Sequence, residues 1–304
     1  MEYIFGPVPS RRLGLSLGID LIPPKTCTYN CLYCQVGRTT CLIMEPEAFV
    51  PVSKIIGELE MVLQKVHPDT ITLAGSGEPT LHSEIDQVIS SIKGTTDTRI
   101  ALLTNGSLLW REEVRNRVSG ADLIMPTLTT VFEDTFRTIH RPHDGLELPL
   151  IIEGLKELRK EYEGLIFLEV VLLSGINDGE IELEGLKKVI QEISPDKIQL
   201  NTVVRPPSDP RAMSIDMEKL EDIKKYFGER AEIIAGKLSN KISGKHQSMV
   251  DVIIEMAKRR PVTGDDIAKV LDTTPEETAR LLKGLLVKGA IKKQEHGMEI
   301  YYIV

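Results

Sequence analysis

Residues 26–35 read Thr-Cys-Thr-Tyr-Asn-Cys-Leu-Tyr-Cys-Gln, and the spacing Cys27-x3-Cys31-x2-Cys34 is the strongest chemical signal in the chain. Three thiolates this close can hold three corners of an iron–sulfur cube. The missing fourth protein ligand leaves one iron open to an external ligand, so such a cluster can be a catalyst as well as an electron carrier. Tyr33 supplies an aromatic wall beside it. The chain has four cysteines, all between positions 27 and 41. Scattered structural cysteines do not cluster this way, and in a reducing compartment such a set reads as metal-binding or catalytic before it reads as disulfides. Zinc held by Cys27, Cys31, Cys34 and Cys41 is the competing reading. Zinc pairs, however, usually sit in two separated knuckles, and these four cysteines share one loop. Cys41 is left over, a small buried residue or a thiol near the cluster.

Around this loop the chain alternates short apolar runs with amphipathic helical patterns. The runs 16–22, 70–75, 100–105, 123–128, 166–173 and 197–204 read as strands, rich in Ile, Leu, Val or Thr and bounded by turn residues. A seventh strand is expected at 231–236. Between them, 52–67, 150–162, 182–193 and 217–227 carry apolar residues at helical spacing, as in Ile55, Leu59, Val62 and Val66. Repeated strand–helix units imply parallel strands joined by right-handed crossovers. Periodicity alone does not choose between a partial barrel and a doubly wound sheet.

The polar stretch 239–247 (SNKISGKHQ) has no hydrophobic face and reads as a linker. Beyond it, helices are expected at 249–258, at 263–271 with Thr263 as N-cap, and at 275–288 with Pro275 in the first turn and Gly289 as C-cap. A turn at 272–274 separates the last two helices. Short strands at 290–294 and 298–304 follow. Helix, helix–turn–helix and hairpin is the order of a winged helix. The expected division is 1–240, a linker at 241–248, and a winged helix at 249–304.

The 304 residues are enough for more than one domain. The net charge of −8 argues against wholesale electrostatic capture of nucleic acid. No signal peptide is visible, and no apolar run approaches the roughly 20 residues of a spanning helix. The expectation is therefore a cytoplasmic protein without a membrane partner.

After the second expected strand comes Ala74-Gly75-Ser76-Gly77-Glu78-Pro79-Thr80. Glycines at a strand end let backbone groups approach a ligand closely, and Glu78 adds an acceptor for a cationic amine. The cysteine spacing, with an aromatic residue before the third cysteine and following a first strand, resembles the radical S-adenosylmethionine (SAM) superfamily. The Gly-Ser-Gly-Glu-Pro turn is similar to that family's Gly-Gly-Glu-Pro segment, with Ser76 at a glycine position. The resemblance implies a partial (β/α)6 barrel of the radical SAM type. It implies a 4Fe–4S cluster on Cys27, Cys31 and Cys34, with SAM bound through its amino and carboxylate groups to the open iron. Electron transfer from an external flavodoxin- or ferredoxin-type reductant then yields a 5′-deoxyadenosyl radical that abstracts hydrogen from a substrate. It also implies that Gly75, Ser76, Gly77 and Glu78 hold the methionine moiety. Thr104, Asn105 and Ser107 after the third strand, and Ser174 and Asn177 after the fifth, are the further SAM-contact candidates. The segments GSGEPTLH (75–82) and LTNGSLL (103–109) also resemble the branch containing wyosine-forming tRNA enzymes. Those enzymes carry a second cysteine set, whereas only Cys41 remains here.

In parallel β/α architectures ligands bind at the carboxyl ends of strands. The cysteines, Glu78, Asn105, Ser174 and Arg205 all fall there. Asn201 and Arg205 sit on or after the sixth strand, where an arginine can pair with a carboxylate or phosphate or form a rim salt bridge. The opening segment 6–14, with Pro7, Pro9, Arg11 and Arg12, is expected to close the barrel base or bind an anionic partner. His143 in Arg141-Pro142-His143 stays unassigned. Two functions compete. One is radical SAM chemistry on an RNA or tRNA base, a protein or a small molecule. The other is an iron–sulfur redox-responsive regulator that binds nucleic acid through 249–304. Residues 245–304 carry ten Lys/Arg against nine Asp/Glu, less basic than a dedicated nucleic-acid binder.

Overall fold

The computed structural model describes residues 2–10, 12–235, 249–271 and 273–304. The expected linker at 239–247, Arg11 and Asp272 lie outside the described residues.

The chain begins with β1 (Ile4–Ser10) and β2 (Gly14–Ile19). The short pair β3 (Thr26–Cys27) and β4 (Cys41–Leu42) brackets the cysteine loop. Then follow α1 (Val52–Leu63), β5 (Thr70–Leu73), α2 (Ile85–Thr95), β6 (Arg99–Thr104), α3 (Glu112–Val118) and β7 (Leu123–Pro126). Next come α4 (Glu133–His140), α5 (Leu148–Glu161), β8 (Leu165–Leu172), α6 (Glu180–Ile193), β9 (Lys197–Thr202), α7 (Met217–Phe227) and β10 (Ala231–Ile233). The last part holds α8 (Met249–Arg259), β11 (Val262–Thr263), α9 (Gly264–Leu271), α10 (Pro275–Val287), β12 (Lys292–His296) and β13 (Glu299–Ile303).

The main sheet has the order β1-β2-β5-β6-β7-β8-β9-β10. Every neighbouring pair from β2 to β10 is parallel, and β1 runs antiparallel at the edge. This is an α/β fold with a central parallel sheet. The two-residue period of a strand divides the side chains between the faces. Leu17, Ile19, Ile71, Leu73, Leu102, Ile124, Leu168, Val170, Ile198 and Leu200 join the apolar core under the helices. The intervening Ser16, Thr72, Leu103, Thr127, Glu169 and Asn201 face one cavity.

The sheet is curled. Arg12, in the turn before β2, reaches Glu169 on β8 at 3.2 Å and Gln199 on β9 at 3.3 Å. In a flat sheet four strand spacings of about 4.8 Å would put β8 roughly 19 Å from β2, beyond any arginine side chain.

The expected strands match β2 and β5–β10 with ends that differ by one to three residues, β2, β6 and β8 starting earlier and all ending sooner. Residues 20–22 leave the strand but stay buried, feeding the cysteine loop. Residues 6–10 of the opening segment, expected to close the barrel base or bind an anionic partner, lie in the edge strand β1. An edge strand tolerates its prolines because one side of its ladder is unpaired. Residues 249–304 build a second core on Ile253, Val262, Ile267, Leu282, Leu285 and Ile291, against which Val8 of β1 packs. Thr263 accepts from Asp266 N at 3.1 Å, the bond of an N-cap, while pairing in β11. Thr274 and Glu277 make a reciprocal capping box at the start of α10. Arg205 donates to Asp266 at 2.8 Å and to Pro261 O at 3.0 Å, tying this part to the end of β9. Among the described residues, no helix is long and apolar enough to cross a membrane.

Candidate active site

The cysteine loop is held from both sides by backbone bonds. Asn30 N donates to His140 O and Leu32 N to Ile139 O, both at 2.8 Å, so the end of α4 supports it. On the other side Ser208 Oγ donates to Cys31 O at 2.7 Å, and Asp209 N to Leu32 O at 3.1 Å. Leu32 anchors the loop in a small cluster with Ile139, Val171, Leu173 and Val203. Its neighbours Cys31 and Tyr33 are thereby turned toward the cavity.

The cavity has a volume of about 880 Å³. Cys27, Cys31 and Cys34 line it together with Gly75, Gly77, Glu78, Thr104 and Asn105. All three thiols are free. Burial pushes the Cys27 thiol up to about 12, with the Glu78 carboxylate adding to the rise. Burial also raises Cys31 and Cys34. Thiolates are thus unfavourable here unless positive charge is bound beside them, which is not the environment of a free nucleophile. Among the described residues no three His, Cys, Asp or Glu side chains stand close enough to share one metal ion. Each cysteine of a cube binds a different iron, so three thiols spread around one cavity fit a cluster better than they fit zinc. Cys41 is exposed, so it is not the small buried residue that was one of its two readings, and it does not line the cavity.

The glycine loop packs directly on the cysteine loop. A Cβ on Gly77 would stand 2.0 Å from Thr26 O, closer than any side chain allows. Gly75 takes φ +146° beside the Asp20 carboxylate, and Ser76 turns away from the cavity to donate to Asp20 Oδ2 at 2.5 Å. Glu78 is 2% exposed. Its carboxylate accepts from Thr80 N, Thr80 Oγ1, Thr104 Oγ1 and Asn105 N at 2.6–3.1 Å. Burial raises its pKa while these donors hold it down. The carboxylate therefore mainly stitches the glycine loop to the end of β6. Oε1 is saturated, and Oε2 keeps one acceptor position.

Asn105 is a hub. Its Nδ2 donates to Thr28 Oγ1 at 2.7 Å and lies 3.6 Å from Cys27 Sγ. Ser107 is fully buried at 2.7 Å from Thr28 Oγ1. Asn177 is fully buried and spends its amide on the backbones of Leu173, Thr129 and Val171. Both side chains are engaged with the loops around them. Ser174 is half-buried at the end of β8, and, like Ser76, Ser107 and Asn177, it is not on the cavity wall.

Three features at or behind the cavity wall carried little sequence signal. His140 is buried, with Nδ1 3.3 Å from Cys31 Sγ and Nε2 2.5 Å from Thr129 Oγ1. Burial alone pulls its pKa down to about 3, so the ring is neutral. Tyr29, Phe136 and Tyr33 surround it with centroids 4.8, 5.3 and 5.8 Å away. Glu169 accepts from Arg12, Asn201 and Thr127 inside the cavity. Residues Val252, Met256 and Lys258 of α8 complete its wall. Apolar spacing on α4 could have placed His140 beside Phe136 and Ile139, but its partners are remote in sequence.

This arrangement of an α/β sheet with three cavity-lining thiols and a glycine loop at its strand ends defines a class. The Radical SAM superfamily model matches residues 21–183, and the chain belongs to that superfamily. Its enzymes use a 4Fe–4S cluster and S-adenosylmethionine, with an external reductant and a substrate, and this chain is a radical SAM enzyme.

Among its relatives, the UPF0026 protein MJ1312 of Methanocaldococcus jannaschii is 33% identical, across 100% of this chain and 96% of that protein. A protein named GTPase Obg in Brachyspira hyodysenteriae is 39% identical over 96% of this chain, which spans 43% of that protein's length. The 304 residues contain no phosphate-binding Gly-x4-Gly-Lys-Ser/Thr stretch. The solved structure of TYW1, a wyosine-forming enzyme, with a lysine-pyruvate adduct bound shares the fold. Its TM-score is 0.51 at 18% identity, covering 71% of this chain and 74% of that chain.

Proposed function

We propose that this chain binds one 4Fe–4S cluster through Cys27, Cys31 and Cys34 and reductively cleaves SAM. The observation that carries this reading is the convergence of three free thiols, Cys31 buried and Cys27 and Cys34 partly buried, on one cavity of about 880 Å³ that the glycine loop also lines. The bound cluster would supply the electron that breaks a carbon–sulfur bond of SAM, giving methionine and a 5′-deoxyadenosyl radical. Gly75 and Gly77 bring backbone groups close to the methionine moiety. The open position on Glu78 Oε2 is within the same wall and suits its ammonium group. Thr104 and Asn105 fix the end of β6 against the cysteine loop. Ser76, Ser107, Ser174 and Asn177 act behind the wall, holding these loops in place.

The curled parallel sheet supports reading residues 1–240 as a partial (β/α)6 barrel. The order α8, β11, α9, α10, β12, β13 supports reading 249–304 as a winged helix, with 241–248 as the linker. Because α8 lines the cavity, the winged helix is better suited to enclosing the substrate than to redox-controlled binding of nucleic acid. An external one-electron donor of flavodoxin or ferredoxin type would supply the electron. Anaerobic reconstitution tests the assignment. Uptake of a 4Fe–4S cluster, followed by a change in its reduced EPR spectrum on adding SAM, is the expected result. Cluster uptake that survives the triple Cys→Ala variant contradicts it.

A further inference from the structure

We infer that His140 donates a hydrogen bond from Nδ1 to Cys31 Sγ when that sulfur ligates iron, and so raises the reduction potential of the cluster. The inference rests on the functional reading above. A ligating cysteine is a thiolate and has no proton to give. The 3.3 Å contact between Sγ and Nδ1 is then favourable only with the proton on the ring nitrogen. That leaves Nε2 as an acceptor, and the Thr129 hydroxyl 2.5 Å away can donate to it. One hydroxyl thus selects the tautomer that the sulfur requires, in the way outer partners orient histidines at metal sites.

The ring is locked in this role. It is 3% exposed and packed among Tyr29, Phe136 and Tyr33. The backbone of the same residue also holds the cysteine loop, since His140 O accepts from Asn30 N. The donor and the sulfur are therefore fixed to one another through a single short segment. The amide on Cys27 is a more distant donor, with Asn105 Nδ2 at 3.6 Å. A donor to a ligand sulfur draws off negative charge and favours the reduced cluster, which carries one more electron. The electron comes from the external donor, and the Nδ1 proton stays on the ring throughout. His140 is thus a positioning and tuning residue, not one that touches SAM.

The test is an EPR-monitored reductive titration of the reconstituted full chain and its variants. His140→Leu should shift the one-electron equilibrium about tenfold toward the oxidised cluster, a fall of about 59 mV. His140→Asn, which keeps an N–H near the Nδ1 position, should recover much of the shift. Thr129→Val, which releases the tautomer, should move the potential in the same direction as His140→Leu. Pulsed EPR of the parent carrying ¹⁵N-histidine should show a histidine nitrogen coupled to the cluster. Should His140→Leu fail to take up a cluster, Thr129→Val and the parent's nitrogen coupling decide. Unchanged potentials, or an intact parental cluster without that coupling, overturn the inference and leave the functional reading standing. A parent chain that takes up no cluster overturns both.

Discussion

The Arg12 guanidinium, in the turn before β2, lies 3.2 Å from the Glu169 carboxylate on β8, bridging strands that are four places apart in the sheet. The pair closes the curl of the sheet and sets the floor of the cavity. Both side chains are mostly buried, at 16% and 17% exposure. Arg12→Met leaves Glu169 with Asn201 and Thr127 as its donors, and should cost roughly 2–4 kcal/mol, near the low end for breaking a buried pair. Glu169→Gln keeps an acceptor for Arg12 and should cost less. Urea unfolding of the two variants gives the comparison, and equal costs would count against this role.

His140 makes stability depend on acid. Its folded pKa is depressed to about 3 from an ordinary value of 6.5 by burial. The unfolded chain therefore binds the extra proton first. The stability present above pH 6.5 is lost as pH falls toward 3, at up to about 1.4 kcal/mol per pH unit. Urea midpoints of the cluster-free chain between pH 6.5 and 4.5 should show this slope, and His140→Leu should remove one proton's share of it. An identical slope in the variant would show that the ring is protonated in the folded chain.

The cavity thiols act at the other end of the scale. The Cys27 pKa rises from 9.0 to about 12. Above pH 9 the unfolded chain loses this proton and the folded chain keeps it, so the stability of the cluster-free protein should fall as pH rises toward 12. Alkylation by iodoacetamide at pH 8 should accordingly label the exposed Cys41 well before Cys27, Cys31 or Cys34. Peptide mass spectrometry reads the order directly, and early labelling of Cys27 would contradict the burial argument.

Arg205 and Asp266 form a second buried pair, at 7% and 13% exposure, between the end of β9 and α9. Arg205→Met takes the close guanidinium from the Asp266 carboxylate, leaving it the 3.4 Å bond from Thr263 N, and should cost roughly 3–5 kcal/mol. Hydrogen exchange should then accelerate in residues 249–271 before it does in the main sheet. Uniform loss of protection would mean that the two cores unfold as one.

Much of the frame was legible in the chain itself. Runs such as 197–204 announced β9 because both faces of a parallel strand are covered. The cysteine spacing and the Gly75–Glu78 turn marked the strand ends that meet around the cavity. What stayed hidden depends on pairings across the sheet. Arg12 and Glu169 are 157 residues apart, and Cys31 and His140 are 109 apart. No local pattern joins them. Asn177 shows the converse. It sits in a Gly/Asn turn that looks ligand-facing, yet its amide is consumed by the backbones of Leu173, Val171 on β8 and the remote Thr129.

The central claim is that the three thiols lining the cavity hold a cluster that cleaves SAM. Its most direct test is 5′-deoxyadenosine formation by the full chain, reconstituted anaerobically and supplied with SAM and dithionite. Formation of 5′-deoxyadenosine and methionine, lost in Cys27→Ala, Cys31→Ala and Cys34→Ala but retained in Cys41→Ala, is the result expected. A cluster-loaded chain that yields no 5′-deoxyadenosine, or one whose yield survives loss of Cys31, would contradict the claim.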